Sequence, residues 1–522
     1  MSLIYNPFKN FQLDSIKNNL YTFNNYSNNY LYIFASRATS YSNNDITPDT
    51  VIESLDESVF RPSYEMMFGK KLNNTDIAIL IKQYVWTSGT IYDQYDNSDT
   101  DLFNKSFFVA TRTGGNLDWH VYKCLWNNND AASTINPDSY PNGNASPFNA
   151  FQTSDGYIWK YMFFVSNTNF IKFNFSNNYI PYFPPTSTTD YSSVNQVHQN
   201  SKTGIDVIKI INAGNNYTAI TNGTIQSVDT TLTGITLETN ASQANNIYTG
   251  SHVLITNISD NTLYIRNINN YYSNNYLVLD SAITGLSPFN YTYNITPKVS
   301  IAGDGSGALA YSTTTAGRIT QITVANTGSG YTRALVTISA NSIYGSGANT
   351  VAIIPPPFGH GNNAIIELGA DAIGFVTSFE GSESNTIPTD ITYRTVGLLR
   401  NPSPINSLGS YYTSSTFDQT LSLTFTNPIA FSVQDTITGS TSQNVGIVTF
   451  SNSTLTTLVG DKNFVADETI TNSLGTTTAV VSTIAKTNAL QPFSGQVLYI
   501  NNINKITRTY SNNETIQIAV QL

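Results

Sequence analysis

The segment Asp155-Gly156-Tyr157-Ile158-Trp159-Lys160-Tyr161-Met162-Phe163-Phe164-Val165 constrains this chain more than any other. It crowds Tyr, Trp and Phe into a run that begins after a glycine and stops before Ser166-Asn167, as a strand bounded by turns does. Phe107-Phe108-Val109-Ala110 and Trp119-His120-Val121-Tyr122-Lys123-Cys124-Leu125-Trp126 read the same way. Aromatics on alternate positions of such neighbouring strands form a core.

The side-chain balance agrees with sheet. Only 11% of the 522 residues are charged while 12% are aromatic, the reverse of the disordered composition. Solubility then falls to Asn, Ser and Thr, which suit turns and exposed strand positions better than helix interiors. A chain this long is expected to divide into about two to four compact units. The net charge of −10 and the pI near 4.8, with no concentration of Lys and Arg, argue against a nucleic-acid partner. Cys124 has no second cysteine to pair with, so packing holds the fold, in keeping with assembly in a reducing cytoplasm. No apolar run approaches the ~20 residues that span a bilayer, and the first residues lack a signal-peptide core. The expectation is a chain made in the cytoplasm, without membrane insertion.

Helix is expected early. Val51, Leu55, Val59, Tyr64, Met67 and Phe68 recur at helical spacing and predict a helix over Thr50–Gly69, with Pro62 kinking it or opening a second one. A short helix is predicted from Thr75 or Asp76 to Val85. Its run Ile77, Ile79, Leu80, Ile81 also reads as a buried strand.

Two internal repeats organise the rest. Ile205-Asp206-Val207-Ile208-Lys209-Ile210-Ile211-Asn212-Ala213-Gly214-Asn215-Asn216-Tyr217-Thr218 aligns with Ile319-Thr320-Gln321-Ile322-Thr323-Val324-Ala325-Asn326-Thr327-Gly328-Ser329-Gly330-Tyr331-Thr332. Gly305-Ser306-Gly307-Ala308 recurs as Gly345-Ser346-Gly347-Ala348, each after an apolar strand, Val299–Ile301 and Val336–Ile338. The second repeat pairs Asp435–Ser440 with Glu468–Ser473, followed by Gly446-Ile447-Val448 and Ala479-Val480-Val481. There are too few copies for a solenoid. The expected fold class is mainly β with a few helices (α+β). An aromatic-rich, β-sandwich-like core domain of residues 1–200, 376–412 and 491–522 carries two inserted small β modules, 201–375 and 413–490.

With the modules set aside, five segments resemble, in order, the baseplate wedge subunit of T-even-like contractile-tailed phages. They are Tyr32-Ile33-Phe34-Ala35-Ser36-Arg37, the strand Asp118–Leu125, the strand Asp155–Phe163 followed by Ile180-Pro181-Tyr182, then Leu398-Leu399-Arg400-Asn401-Pro402, and Gly495–Asn502 continuing to Glu514–Ile518. The resemblance covers about 1–200, 376–412 and 491–522. It implies a structural role in the virion, with a second copy of the chain and other wedge subunits as partners, and no catalytic residues. The two inserts depart from the family.

The candidates for chemistry are few. His120, His198, His252 and His360 lie far apart, without the spacing of a metal site. His120 beside Asp118 invites a catalytic pairing, but no nucleophile accompanies it, and a structural histidine is the plainer reading. Gly303-Asp304-Gly305-Ser306-Gly307 lacks the Lys-Ser/Thr of a phosphate loop and reads as a tight turn. Asp93, Asp96, Asp99 and Asp101 could gather around Ca²⁺, yet lack the glycine and distal Glu of an EF-hand and read as a solvated loop. Tyr271, Tyr272 and Tyr276 among Asn residues suit sugar stacking or ordinary strand packing, and Phe170–Phe175 suits a core or interface. No catalytic, cofactor or metal residue is assigned, and no cofactor is expected. The alternative to a structural subunit is a receptor-binding or polysaccharide-cleaving tail protein, meeting host surface glycans through the inserts; cleavage would need facing carboxylates roughly 5–9 Å apart.

Overall fold

The computed structural model describes residues 30–52, 54–112, 117–139, 149–175, 178–184, 201–217, 221–339, 345–486 and 489–522, with Lys9, Gln12, Leu13, Ser15, Gly115 and Val197. The chain is mainly β, and its described helices are short pieces such as Arg61–Tyr64, Asn167–Lys172 and Ala364–Glu367. It forms two compact units. One comprises Met1–Ile81, Ile171–Phe183 and Asp371–Leu522, the other Lys82–Phe170 and Pro184–Ala370.

In the first unit a five-stranded sheet runs Thr416–Asp418, Phe68–Lys71, Leu31–Ser36, Ile391–Arg400, Gln496–Arg508. Every residue of the inner strand Leu31–Ser36 is buried. The aromatics of this sheet fit because glycines face them: a Cβ on Gly397 would lie 2.5 Å from the ring of Phe34 in that strand, and one on Gly69 2.4 Å from the ring of Phe417 in the edge strand. A four-stranded sheet runs Asn513–Gln521, Ala372–Glu380, Ile77–Lys82, Tyr179–Tyr182.

Both helix expectations need correction. Over Thr50–Gly69, helix is confined to about Asp56–Tyr64, and Phe68 already belongs to a strand. Ile77–Lys82 is an inner strand with its first five residues buried. A strand covered on both faces loses the alternation that distinguishes it from a buried helix.

The remaining strands of this unit close a six-stranded barrel, in the order Leu421–Phe425, Leu455–Gly460, Val445–Ser451, Thr436–Gly439, Thr469–Asn472, Thr478–Lys486. The two copies of the sequence repeat pair with each other, Ile437 opposite Asn472, Thr438 opposite Thr471 and Gly439 opposite Ile470. Exchanging the copies leaves that pairing unchanged, so a pseudo-twofold axis passes between Thr438 and Thr471. On the opposite wall it passes between Leu423 and Thr456, flanked by Ser422↔Thr457 and Thr424↔Leu455. The hairpins share one register, Ile437↔Gly446 and Ile470↔Ala479. Even the bulges coincide, skipping Thr449 in one copy and Ser482 in the other. The barrel interior is filled by matched side chains, Phe431 and Phe464, Ile437 and Ile470, Val448 and Val481.

The second unit holds the aromatic strands in a four-stranded sheet, Phe108–Thr111, Trp119–Trp126, Ile158–Val165, Phe151–Gln152. Tyr122, Cys124, Tyr157, Trp159 and Tyr161 pack on one side of it, with the Tyr157 and Trp159 rings stacked at 5.3 Å. Residues 222–296 supply a seven-stranded sheet with its own core, including Ile255, Ile268, Tyr271 and Tyr293.

Between these lies a second duplication. The strand Ser306–Thr315 pairs with Arg318–Ser329, and Ser346–Ala352 pairs with Ile208–Asn215. Ser306 lies opposite Ser329 as Ser346 lies opposite Asn215; the bulges fall at Leu309/Ala310 and Asn349/Thr350. The repeated residues build the same turn twice. The Gly328 amide donates to Asn326 Oδ1 at 3.0 Å and that of Gly214 to Asn212 at 2.9 Å. The Ala308 and Ala348 amides donate to the Tyr331 and Tyr217 hydroxyls, each at 3.3 Å. A Cβ on Gly305 or Gly345 would strike the corresponding tyrosine ring at 2.5 Å. Lys298–Gly303 and Ala334–Ser339 pair about the axis, Val299↔Ile338, Ser300↔Thr337, Ile301↔Val336.

The units do not divide where the sequence suggested. Residues 82–170 cluster with 184–370, not with the strands of 1–81 and 371–522, and Ala372–Glu380 belongs to a sheet of the first unit. Consequently the five motif segments fall in both compact units. Three pair in the five-stranded sheet, with Tyr32 opposite Leu399 and Leu398 opposite Tyr499, while Trp119–Trp126 and Ile158–Val165 pair with each other. Main-chain pairing set by register, which composition does not encode, decides that grouping.

Candidate functional site

Lys123 and Lys160 lie directly opposite each other on neighbouring strands of the aromatic sheet. Like charges so placed repel, and both are buried. Two carboxylates compensate. Glu367, at the end of the helix Ala364–Glu367, forms a buried ion pair with Lys123. Asn363 caps that helix by accepting from the Ile365 and Ile366 amides. The cap aims Gly361 and Asn363 N–H groups at the Glu367 carboxylate, at 2.8–3.1 Å. Asp206 is the second compensating carboxylate, attracted by Lys160 and Lys123.

The titration of these groups follows from burial first. Burial lowers Lys160 to about 8, with Asp206 opposing the shift and Lys123 adding to it. Burial raises Asp206 to about 6, opposed by the two lysines. His360 is driven well below its ordinary value by burial and by the same lysines, so it stays neutral. Its nitrogens lie 3.9 Å from Asp206 and from Glu367, beyond hydrogen-bonding distance. The His360 ring meets the Tyr95 ring edge-on at 5.0 Å, and Lys123 Nζ sits 4.9 Å over the same tyrosine.

Asp206 is the cluster's outlet. Its side chain is 18% exposed, against 0% for Lys123 and 2% for Glu367. It lines an open cleft of about 450 Å³. One wall is Trp126, Asn129, Phe151, Gln152 and Ile158, from the aromatic sheet and its loops. The other wall is Asp206, Val207, Ile208 and Ile210 with Thr320–Val324, from the equivalent stretches of the duplicated module. Beyond Trp126 a hollow of about 240 Å³ carries Asp93, Asp96, Asp99, Asp130, Lys105 and Lys209.

The residues singled out from sequence fall elsewhere or serve structure. His120 Nδ1 meets Asp138, not Asp118, at 2.5 Å, and Asp138 also accepts from the Tyr122 hydroxyl at 3.0 Å. Asp118 accepts from the Asn167 amide at 2.8 Å. His252 is buried and held near 4, chiefly by burial, and His198 lies outside the described residues. Asp304 accepts from the Thr332 and Arg333 amides at 3.0 and 3.1 Å, and with Gly305 it forms the tight connection between the strands Lys298–Gly303 and Ser306–Thr315.

The acidic loop is tied up locally, with Ser106 on Asp93, Ser98 and Lys209 on Asp96, Lys105 on Asp99 and Asn104 on Asp101. Among the described residues no group of three His, Cys, Asp or Glu side chains could hold a metal ion. Tyr271 is core, Tyr276 donates to Asp229 at 2.9 Å, and Tyr272 is 46% exposed. Phe173 and Phe175 pack with Ala78 and Leu80, and Phe170 packs on Trp119.

Sequence reasoning missed Lys123, Lys160, Asp206, Glu367 and Trp126. A usable signal existed. Two lysines interrupt otherwise apolar strands, and Asp206 stands where the other repeat copy has Thr320. No protein-family model matches the chain, and no curated protein matches it at a significant level.

Proposed function

We propose that this chain is a non-enzymatic structural subunit of the baseplate wedge of a contractile phage tail. In this reading it resides in the virion as paired copies and links neighbouring wedge proteins during assembly and host attachment. One observation carries the reading. Leu31–Ser36, Ile391–Arg400 and Gln496–Arg508 are adjacent strands of one sheet although long stretches of chain, residues 37–390 and 401–495, separate them. That is the relation expected of pieces of one ancestral domain into which the barrel was set.

The chemistry favours scaffold over catalyst. The buried lysines are balanced by buried carboxylates, and among the described residues the contacts given for His360 are with Asp206, Glu367 and Tyr95, not with a Ser, Cys or Thr nucleophile. A chain deletion in the phage that makes it tests the proposal by negative-stain imaging and protein analysis of the particles. Tails with incomplete baseplates are the expected result; intact, infectious particles lacking the chain would overturn it.

A further inference from the structure

We propose that the cleft beside Trp126 binds an uncharged oligosaccharide, an activity separate from the wedge role and able to stand or fall without it. Sugars present two kinds of surface, patches of C–H that settle on aromatic faces and hydroxyls that both donate and accept. The cleft offers both. Trp126, half-buried, lines it and also the hollow behind, so the indole forms a partition with exposed surface. Gln321, Thr320, Thr323 and Asn129 also line it, neutral groups that can accept and, Thr320 apart because it donates to the Thr313 carbonyl, can also donate. Asp206 adds one carboxylate acceptor, the pattern of a pocket in which a few polar groups orient a ligand.

The same lining argues against other ligands. A phosphate or nucleic-acid strand would meet Asp206 and, past Trp126, the carboxylates of the acidic hollow. A fatty chain would leave the amide and hydroxyl groups without partners. Hydrolysis is not part of the proposal. Asp206 is the sole carboxylate among the described residues lining the cleft, whereas glycoside cleavage uses two facing ones. The pseudo-twofold explains why the site occurs once. Thr320 and Asp206 are equivalent positions on the module wall, and only one carries charge.

The test uses the full chain and an immobilised panel of neutral oligosaccharides of glucose, galactose, mannose and N-acetylhexosamines, followed by calorimetry on the best member. Saturable binding is expected, without change in the length of the sugar. Trp126→Ala should weaken it about 30-fold, the effect of losing one aromatic anchor, and Trp126→Phe should retain most of it. If thermal melting shows that Trp126→Ala does not fold, Thr320→Trp, at an exposed position, should fill the cleft and abolish binding. No panel member bound below about 10 mM, binding undiminished in the folded variants, or capture of peptides in place of sugars would each overturn the proposal.

Discussion

The barrel at 421–486 and the module built from 208–215 and 298–352 are both duplications, yet they treat their symmetry differently. In the barrel each copy is contiguous, and the paired positions hold similar side chains down to Phe431 and Phe464 in the interior. In the other module one copy, 305–332, is contiguous, while its mate is split between 205–217 and 345–352. There the equivalent positions diverge, with Asp206 for Thr320 and Lys209 for Thr323. Symmetry kept serves packing; symmetry broken on one wall brings Asp206 to the charged cluster and its cleft. The polar turns show the same contrast. Asp435 and Glu468 make equivalent bonds, accepting from the Ser432 and Val465 amides, whereas Asp206 has no acidic counterpart.

That contrast can be broken most directly in the barrel core. Phe431→Ala and Phe464→Ala should each destabilise the first unit by about 3–5 kcal/mol in denaturant unfolding. The two losses should agree within about 1 kcal/mol, and a wide gap would deny the equivalence of the copies. In the second unit, Lys123→Met alone leaves Glu367 buried beside its backbone donors and should cost about 3 kcal/mol or more. Lys123→Met with Glu367→Gln should recover most of that loss, because no uncompensated charge remains and the side-chain oxygen still accepts from Gly361 and Asn363.

Smaller effects sharpen the turn equivalence. Gly305→Ala and Gly345→Ala should each cost about 1–3 kcal/mol by thermal unfolding, since the new methyl would collide with Tyr331 or Tyr217. Gly475→Ala has open space around it and only its positive φ to violate; it should cost ~1 kcal/mol.

The broken symmetry also predicts a lopsided pH profile. Asp206 is raised from 3.8 to about 6, so its cost is fully present above pH 6 and is relieved as pH falls toward 4. Lys160 is lowered from 10.5 to about 8, so its cost is present below pH 8 and is relieved as pH rises toward 10. Asp206→Asn should flatten the acid limb and Lys160→Met the alkaline limb, each by about 3 kcal/mol at most. Thr320→Val, the mate of the first substitution, should alter neither limb. Chemical denaturation from pH 4 to 10 reads all three.

Much of the fold was legible because its signals are local. The aromatic strands announce themselves by turn residues at both ends, and Trp119–Trp126 forms over the span expected. The repeats were legible because turn geometry demands the same glycines and tyrosine twice. What escaped was long-range. Ile77–Lys82 read equally as helix, because an inner strand has no polar face. The grouping of 82–170 with 184–370 depends on strand pairing across large separations. The charged cluster was missed for a related reason: Lys123 and Glu367 are separated by |i−j| = 244, and neither residue alone announces the other.

The split copy has a consequence for how the molecule comes into being. Tyr217 and Ala348, which fasten that copy, are 131 positions apart. At synthesis rates of roughly 5–20 residues per second, the first strand waits about 7–26 seconds for its mate. During that interval the edge of Ile208–Asn215 is open to any other nascent chain, and two chains that exchange these strands would emerge interlocked.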